Sequence, residues 1–230
     1  MRIVVPFAAE TPKTRLEAVL SPAERTGFAR AMLADVLRAI VAAGHEPTVV
    51  STAPVDLAGL ELSDEVVTAT SVTVDDRPLT DAVNARLPDG DDDATTADAV
   101  AVVMADLALA TPDALERLLT PDADIAIAPG RAGGTNALVV RHPGFAADYH
   151  GASYLDHCES AREVGASLET IDSFRLGTDI DEPTDLVEVL VHGRERDRAP
   201  AALRELGFTL DERDGRVGVV RDGTSVAGSR

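Results

Sequence analysis

Short apolar runs recur along the chain, and most are bounded by proline, glycine or polar residues, as buried β-strands are. The predicted strands are residues 2–7, 47–51, 99–104, 124–128, 136–140, 208–212 and 216–221, with weaker strands at 66–69 and 72–74 and an edge strand at 167–171. The runs are too short to be helices that bury every side, so a layered fold built on a sheet is indicated.

Amphipathic helical segments alternate with these strands. In the first of them, Ser21-Pro22-Ala23-Glu24 predicts a capping box, and Gly44 predicts the end of the helix. Further helices are predicted at residues 79–87, from Thr111 onward, and at 149–164, 185–191 and 199–206. The alternation predicts an α/β fold with a mostly parallel sheet covered on both faces, and a site at the carboxyl ends of the strands. Residues 1–198 are expected to form one domain, and 199–230 a helix and hairpin that pack on it.

Composition narrows the functional classes. The formal net charge is -19, which argues against binding to nucleic acid or an anionic membrane. An Asp-rich chain with almost no Lys suggests a salt-adapted cytoplasm, because concentrated salt screens repulsion between carboxylates. The single cysteine, Cys158, indicates a reducing interior. The chain has no apolar run of about 18 residues and no signal-peptide pattern, so we expect a soluble cytoplasmic protein.

The chain contains one lysine among 20 arginines. Lys13 lies in Pro12-Lys13-Thr14-Arg15-Leu16, directly after the first predicted strand. Such a loop can hold phosphates, because an ammonium is a mobile point charge and a guanidinium is a planar fork. The alternative is that one lysine survived by chance in an Arg-rich chain.

Three carboxylates stand out from the acidic background by their position. Asp106 follows the buried run at 99–104, and Asp179 and Asp181 alternate in an extended segment, which points both side chains the same way. Converging carboxylates form a site for Mg²⁺, which also recruits phosphate oxygens. The alternative is structural: Asp181 or Thr184 caps the helix that follows, and Asp106 caps a turn.

Other polar segments are weaker signals. The loop at 130–134 could place backbone N–H groups against an anion, but it matches neither GxGxxG nor a Walker P-loop. The acidic segment 88–98 lacks the ordered ligand spacing of a calcium loop, which favours a solvated loop. His150 and His157 share one helical face without metal-ligand spacing, and Cys158 is typical of a small core residue.

In chain order, these segments closely resemble the 2-phospho-L-lactate guanylyltransferase family of coenzyme F(420) biosynthesis, over roughly residues 1–192. Two blocks carry most of the specificity: Lys13-Thr14-Arg15-Leu16 and Asp179-Ile180-Asp181-Glu182-Pro183-Thr184-Asp185-Leu186. The other matching segments are Leu79 through Asn84, Ala105-Asp106-Leu107, Gly133-Gly134-Thr135-Asn136 and Gly151-Ala152-Ser153.

The resemblance implies a nucleotidyltransferase Rossmann-like three-layer fold of the GT-A type, similar to enzymes that activate sugars and molybdopterin. It implies that GTP reacts with 2-phospho-L-lactate to give lactyl-2-diphospho-5′-guanosine and pyrophosphate, and that the enzyme is a homodimer. It further implies that the GTP triphosphate is held by the catalytic residues Lys13 and Arg15, the nucleoside by Leu79 and Asn84, the phosphorylated acid by Thr135, Gly151 and Ser153, and Mg²⁺ by Asp106, Asp179 and Asp181.

Two alternative functions remain open at the level of sequence. The same fold could serve a different acceptor, such as phosphoenolpyruvate, 3-phosphoglycerate, a sugar or molybdopterin. A nucleotide-binding protein without catalysis belongs to a different class. The carboxylates at Asp106, Asp179 and Asp181, together with Lys13, argue against a loss of catalysis.

Overall fold

A computed structural model describes residues 1–88, 99–213, 215–221 and 224–225. The acidic segment interpreted above as a solvated loop lies, apart from Pro88, outside these residues. The main sheet has seven strands: β1 (Arg2–Phe7), β2 (Pro47–Ser51), β3 (Ser71–Val74), β4 (Val100–Val103), β5 (Ile125–Pro129), β6 (Thr135–Val140) and β7 (Leu168–Thr170). Their order is β3-β2-β1-β4-β6-β5-β7. All are parallel except β6, which is antiparallel to β4 and β5, so the predicted mostly parallel sheet is confirmed.

Helices connect the strands and cover both faces of the sheet. They are α1 (Pro22–Ala42), α2 (Asp64–Ala69), α3 (Leu79–Asn84), α4 (Pro112–Leu119), α5 (Ser153–Glu163), α6 (Phe174–Gly177), α7 (Leu186–His192) and α8 (Arg198–Glu205). The predicted capping box begins α1: the Ser21 hydroxyl accepts from the Glu24 N–H, and the Glu24 carboxylate accepts from the Ser21 N–H. Within the described ranges, no helix combines the length and apolar character needed to cross a bilayer.

The predicted strand at 66–69 is wrong, because these residues belong to α2. The Ser63 hydroxyl accepts from the Val66 N–H at 3.5 Å and starts the helix, and this local cap outweighs the strand preference of the two valines. The helix predicted from residue 149 begins only at Ser153. The residues just before it are held by side chains of α3, as the Thr80 hydroxyl accepts from the Tyr149 N–H at 3.1 Å.

Alternate residues of each central strand enter different hydrophobic clusters, one on each face of the sheet. In β4, Val100 and Val102 pack on the face covered by α3 and α5, whereas Ala101 and Val103 pack on the face covered by α1. Removing each large apolar side chain from water contributes about 1.5–3 kcal/mol, so these two layers supply the main drive for folding. They also fix the edge of the sheet where the polar loops emerge.

The C-terminal part of the chain adds a helix and a small antiparallel sheet. Its strands are β8 (Phe208–Arg213), β9 (Arg216–Arg221) and β10 (Thr224–Ser225). Phe208 is fully buried in the cluster that contains α1. Arg221 donates to the Val19 carbonyl at 3.0 Å and pairs with Glu24, so the hairpin is tied to the start of α1. Within the described residues, this part extends the main core rather than forming a separate one.

Candidate active site

A cavity of about 380 Å³ opens at the carboxyl ends of β1 to β4. One end is lined by polar residues, which are Lys13, Thr14, Arg15, Asp106 and Asp181. The other end is lined mainly by Val4, Val50, Thr52, Asp75, Arg77, Leu79, Ala82 and Val83. Because β6 runs antiparallel to β4, its first residues lie at the same edge, and the Met104 N–H bonds the Asn136 carbonyl at 3.0 Å. The site therefore occupies the edge that the parallel sheet predicts.

Lys13 lies between two carboxylates. Its Nζ is 2.6 Å from Asp106 Oδ2 and 2.6 Å from Asp181 Oδ1, and its side chain is 9% exposed. Burial alone would lower the pKa of Lys13, but the two carboxylates outweigh burial and raise it above its ordinary value. The backbone is left-handed here, with φ 54°, and a short 3-10 turn follows, anchored by the fully buried Leu16. A charged ammonium is thus fixed at the polar end of the cavity.

Arg15 is the second cation at this end. Its guanidinium donates to Asp181 Oδ2 at 3.0 Å, while 68% of its side chain remains exposed. Asp181 therefore accepts from both Lys13 and Arg15, one through each carboxylate oxygen. Because Arg15 is largely solvated, its side chain can reorient toward an anion at little cost.

The segment that carries Asp179 and Asp181 is shaped by alternation and by one cap. Thr178 and Ile180 are fully buried, and Asp179 and Asp181, which alternate with them, lie on the side of Asp106, as the alternation predicts. Asp185 Oδ2 accepts from the N–H of Asp181 at 3.0 Å and from the N–H of the next residue at 2.8 Å. Asp185 thus caps this turn, and the Asp181 side chain serves the site instead.

Asn136 holds Asp179 in place, a role that the sequence did not predict although Asn136 lies in one of the matching segments. Its Nδ2 donates to Asp179 Oδ1 at 3.1 Å and to the Leu176 carbonyl at 2.9 Å. A Cβ at Gly130 would lie 2.5 Å from Asn136 Oδ1, so glycine is required there for close approach. Burial raises the pKa of Asp179, the Asn136 bond lowers it, and the Asp106 carboxylate adds to the increase. The sequence could have indicated this role, because Asn136 is a polar residue that follows Thr135 at the start of a buried strand.

The carboxylates fit a hard cation by their chemistry, although Lys13 lies between two of them. Asp106 Oδ1 is buried and without a hydrogen-bond partner, an arrangement that an added cation would satisfy. The nearby Asp106 carboxylate contributes to the raised pKa of Asp179, so a cation bound close by would stabilise the charged form of Asp179. In the part of the chain that is described, no three acidic, His or Cys side chains already surround a single point. Oxygen ligands of this kind are those that Mg²⁺ prefers.

Of the two residues predicted to hold the nucleoside, only one lines the second, mainly apolar end of the cavity. Leu79 lines it, whereas the Asn84 carboxamide exchanges two hydrogen bonds, at 2.8 and 2.9 Å, with the backbone of Ala147. Asp75 and Arg77 also line this end, and Asp75 accepts from Arg77 at 2.7 Å. Hydrogen bonds from Arg77 and then from a second arginine hold the pKa of Asp75 well below its usual range. Both residues follow β3, a position where the strand pattern could have revealed them.

The residues predicted to hold the phosphorylated acid lie around the start of β6 and of α5. The Thr135 N–H donates to Ser153 Oγ at 2.9 Å, so these two residues are in contact. Gly151 precedes α5 in a turn, and its φ of +55° favours glycine. The Thr135 hydroxyl also contacts His157 Nδ1 at 2.8 Å, a contact that sequence reasoning did not predict.

Two solved structures share this fold. A protein of Desulfovibrio desulfuricans, provisionally described as a nucleotide-diphospho-sugar transferase, has a TM-score of 0.68 at 17% identity, with 89% of this chain and 95% of that chain covered. A nucleotidyl transferase from Methanothermobacter has a TM-score of 0.53 at 17% identity, with 89% and 99% covered. The fold and the site at its strand ends define the class: this is a nucleotidyltransferase fold.

Sequence comparison gives the family. The family described as "Guanylyl transferase CofC like" matches residues 1–221. A 2-phospho-L-lactate guanylyltransferase from Haloterrigena turkmenica is 71% identical over 224 residues, which cover 96% of this chain and 97% of that protein. One of the same name from Natrialba magadii is 60% identical, with 96% and 99% covered. The chain belongs to the CofC-like guanylyl transferase family, which confirms the resemblance found in the sequence.

Proposed function

We propose that this protein transfers the guanylyl group of GTP to 2-phospho-L-lactate, releasing pyrophosphate, in coenzyme F(420) biosynthesis. The observation that carries the proposal is the charged end of the cavity, where Lys13 contacts both Asp106 and Asp181 beside Arg15. The names and close identity of the halophilic relatives support the same reaction.

The chemistry is a phosphoryl-oxygen attack on phosphorus. A phosphate oxygen of phospholactate forms a bond to the α-phosphorus of GTP, and the bond from that phosphorus to the α,β-bridging oxygen breaks. Pyrophosphate departs with the electron pair of the broken bond. A phosphomonoester is largely ionised at neutral pH, so no general base is needed. The main requirements are alignment of two anions and neutralisation of their charge.

Lys13 and Arg15 are proposed to hold the triphosphate and stabilise the departing pyrophosphate. Lys13 is buried, charged and fixed, so it costs little reorganisation at the moment of reaction. Arg15 is exposed and can follow the leaving group as it departs. The apolar walls at Val50, Leu79 and Val83 offer a surface for a flat nucleobase.

Mg²⁺ is proposed as the cofactor, held by Asp106, Asp179 and Asp181. Bound there, it would supply charge neutralisation between substrate and nucleotide phosphates. We propose further that Lys13 then exchanges part of its carboxylate contacts for phosphate oxygens. Asn136 keeps Asp179 oriented in either case, because its second bond to the Leu176 carbonyl anchors it independently.

The setting of the enzyme is also part of the proposal. We propose a homodimer, as the family resemblance implies. A reducing, salt-rich cytoplasm agrees with the single Cys158 and the net charge of -19. The proposed partners are the two substrates, GTP and 2-phospho-L-lactate, with no nucleic acid and no membrane.

The test is an acceptor panel in concentrated KCl with MgCl₂. GTP or ATP is combined with 2-phospho-L-lactate, phosphoenolpyruvate or 3-phosphoglycerate, and pyrophosphate release is followed continuously. The fastest release is expected with GTP and 2-phospho-L-lactate. A higher kcat/KM with another acceptor would overturn the substrate. An absence of pyrophosphate with every acceptor, despite measurable GTP binding, would overturn the enzymatic function.

A further inference from the structure

His157 is buried beside the residues proposed to hold the acid, and the mechanism above does not use it. Its side chain is 0% exposed and lies against the rings of Phe145 and Tyr149, at 5.8 and 5.1 Å between centroids. Its Nδ1 is 2.8 Å from the Thr135 hydroxyl oxygen, and its Nε2 accepts from the Asp148 N–H at 3.0 Å. Both ring nitrogens are therefore engaged.

These two contacts fix the tautomer of the ring. A backbone amide can only donate, so Nε2 must be the unprotonated, accepting nitrogen. The neutral ring then carries its proton on Nδ1 and donates it to Thr135 Oγ1. Burial lowers the pKa of His157 to about 4, and the nearby carboxylates of Asp156 and Asp148 oppose this without outweighing it. The ring is thus neutral at physiological pH.

The tautomer in turn sets the direction of the Thr135 hydroxyl, and a backbone amide sets that of the neighbouring Ser153 hydroxyl. Thr135 Oγ1 accepts from His157, and Ser153 Oγ accepts from the Thr135 N–H at 2.9 Å. Each hydroxyl has therefore used a lone pair internally and keeps its proton for another acceptor. Among the described residues, neither hydroxyl donates a hydrogen bond of its own once these two contacts are assigned. One of the two lone pairs on each hydroxyl is thus occupied, and the proton is free to be donated to a ligand.

We propose that His157 is a positioning residue that acts through its Nδ1–H to fix the Thr135 hydroxyl as a donor toward an oxyanion of the phosphorylated acid. The Asp148 N–H has the supporting role of holding the ring in that tautomer. The proposal rests on the proposed function and on the acid-binding role that the family resemblance implies for Thr135 and Ser153. A pair of donors suits a phosphate or carboxylate and discriminates against a ligand that presents a donor there, because two donors cannot pair.

Two variants test the roles of the two ring nitrogens separately. In His157→Asn, the side-chain amide can still donate to Thr135, whereas in His157→Gln, it can accept from Asp148 but places no donor at the Nδ1 position. We expect His157→Gln to raise KM for 2-phospho-L-lactate by about 10- to 100-fold, the scale of leaving a buried polar group mispaired, with KM for GTP nearly unchanged. His157→Asn should raise it less. Equal losses for both substrates in both variants would indicate a merely structural role and overturn the proposal.

A double-mutant cycle tests whether His157 acts through Thr135. Thr135→Val keeps the shape of the side chain and removes the hydroxyl. If the proposal is correct, adding His157→Gln to Thr135→Val changes KM for the acid little further, because the group that His157 orients is already absent. Independent, additive increases in KM would overturn it. Thr135→Ser, which keeps a hydroxyl, should retain most of the affinity.

The tautomer can be measured without any assumption about the reaction. Long-range ¹H–¹⁵N NMR of the unliganded protein should show His157 with a protonated Nδ1 and an unprotonated Nε2. A protonated Nε2 in the neutral ring would overturn the proposal whatever the activity. If the expected tautomer is found but the wild-type protein transfers no guanylyl group, the proposed function fails alone. Calorimetric titration with 2-phospho-L-lactate then decides the inference: weaker binding to His157→Gln than to wild type supports it, and equal binding overturns it.

Discussion

Lys13 combines an unfavourable backbone conformation with a favourable position for its ammonium. A left-handed conformation costs a residue other than glycine about 1–2 kcal/mol, and such strain clusters at functional sites. The contacts of Nζ with Asp106 and Asp181 offset this cost in the unliganded protein. The residue is held where a compact charge can meet phosphate.

We expect Lys13→Arg to lower kcat at least ~100-fold, the scale of losing one positioned charge-stabilising contact. A single nitrogen now lies 2.6 Å from both carboxylates, and a planar guanidinium fork cannot occupy that point in the same way. The measurement is steady-state pyrophosphate release. The control is Arg30→Lys, the reverse exchange at a position on α1 where Arg30 donates to the Asp56 carbonyl. This variant should leave kcat unchanged. Near-normal turnover of Lys13→Arg would refute the role proposed for Lys13.

Sequence pattern could predict the charged residues that follow strands, but not their uncharged supports. Lys13 and Asp106 were visible because a cation and an acid after buried strands are unusual. Asn136 was not, because its role depends on a segment about 40 positions later that folds against β6. The roles of all these residues in substrate and metal binding stay predictions.

At the scale of elements, Asp35 joins helix α1 to helix α8. Its carboxylate is 2% exposed and accepts from the N–H groups of Arg198 and Ala199 at 2.7 and 2.8 Å, where α8 begins. Burial raises the pKa of Asp35 to about 6, although these backbone bonds lower it. The carboxylate satisfies the first amides of α8 from a distant part of the chain, in place of a local cap.

The raised pKa of Asp35 makes stability depend on pH. The folded state binds this proton more tightly than the unfolded chain, so the associated stabilisation is present below about pH 4 and lost as pH rises through about 6. We expect the unfolding free energy of wild type, relative to Asp35→Asn, to fall by roughly 2–3 kcal/mol across that interval. Denaturant unfolding at several pH values, in constant high salt, measures it. A pH-independent difference between wild type and Asp35→Asn would contradict the expectation.

The architecture was predictable to the level of alternating elements, and the exceptions have local causes. The Ser63 cap turned a valine-rich segment into α2, and nothing in the apolar run of β6 indicated its antiparallel direction. That direction matters, because it brings Thr135 to the same edge as the strand ends that carry Lys13 and Asp106. Periodicity shows that a strand is buried, but not which way it runs.

The whole molecule carries a large excess of acid, with a formal net charge of -19. Repulsion among exposed carboxylates destabilises the compact state, and salt screens it as the Debye length falls from about 10 Å at 0.1 M to about 3 Å at 1 M. An overall charge of this kind affects stability and solubility rather than the choice of fold.

We therefore expect the thermal midpoint to rise by about 5 °C or more between 0.1 M and 2 M KCl, which corresponds to roughly 2 kcal/mol for a chain of this size. Differential scanning calorimetry measures the midpoint. An uncharged osmolyte at matched osmolarity is the control and should raise it less. Equal midpoints at both salt concentrations would argue against charge repulsion as a major term.

In the proposed reaction, a phosphate oxygen of the acid attacks the α-phosphorus of GTP. Reaction of GTP with 2-phospho-L-lactate whose phosphate oxygens are labelled with ¹⁸O, followed by mass spectrometry, tests it most directly. All of the label is expected in lactyl-2-diphospho-5′-guanosine, including the oxygen that bridges the two phosphorus atoms, and none in pyrophosphate. Label in pyrophosphate, or a guanosine product without label, would contradict the claim.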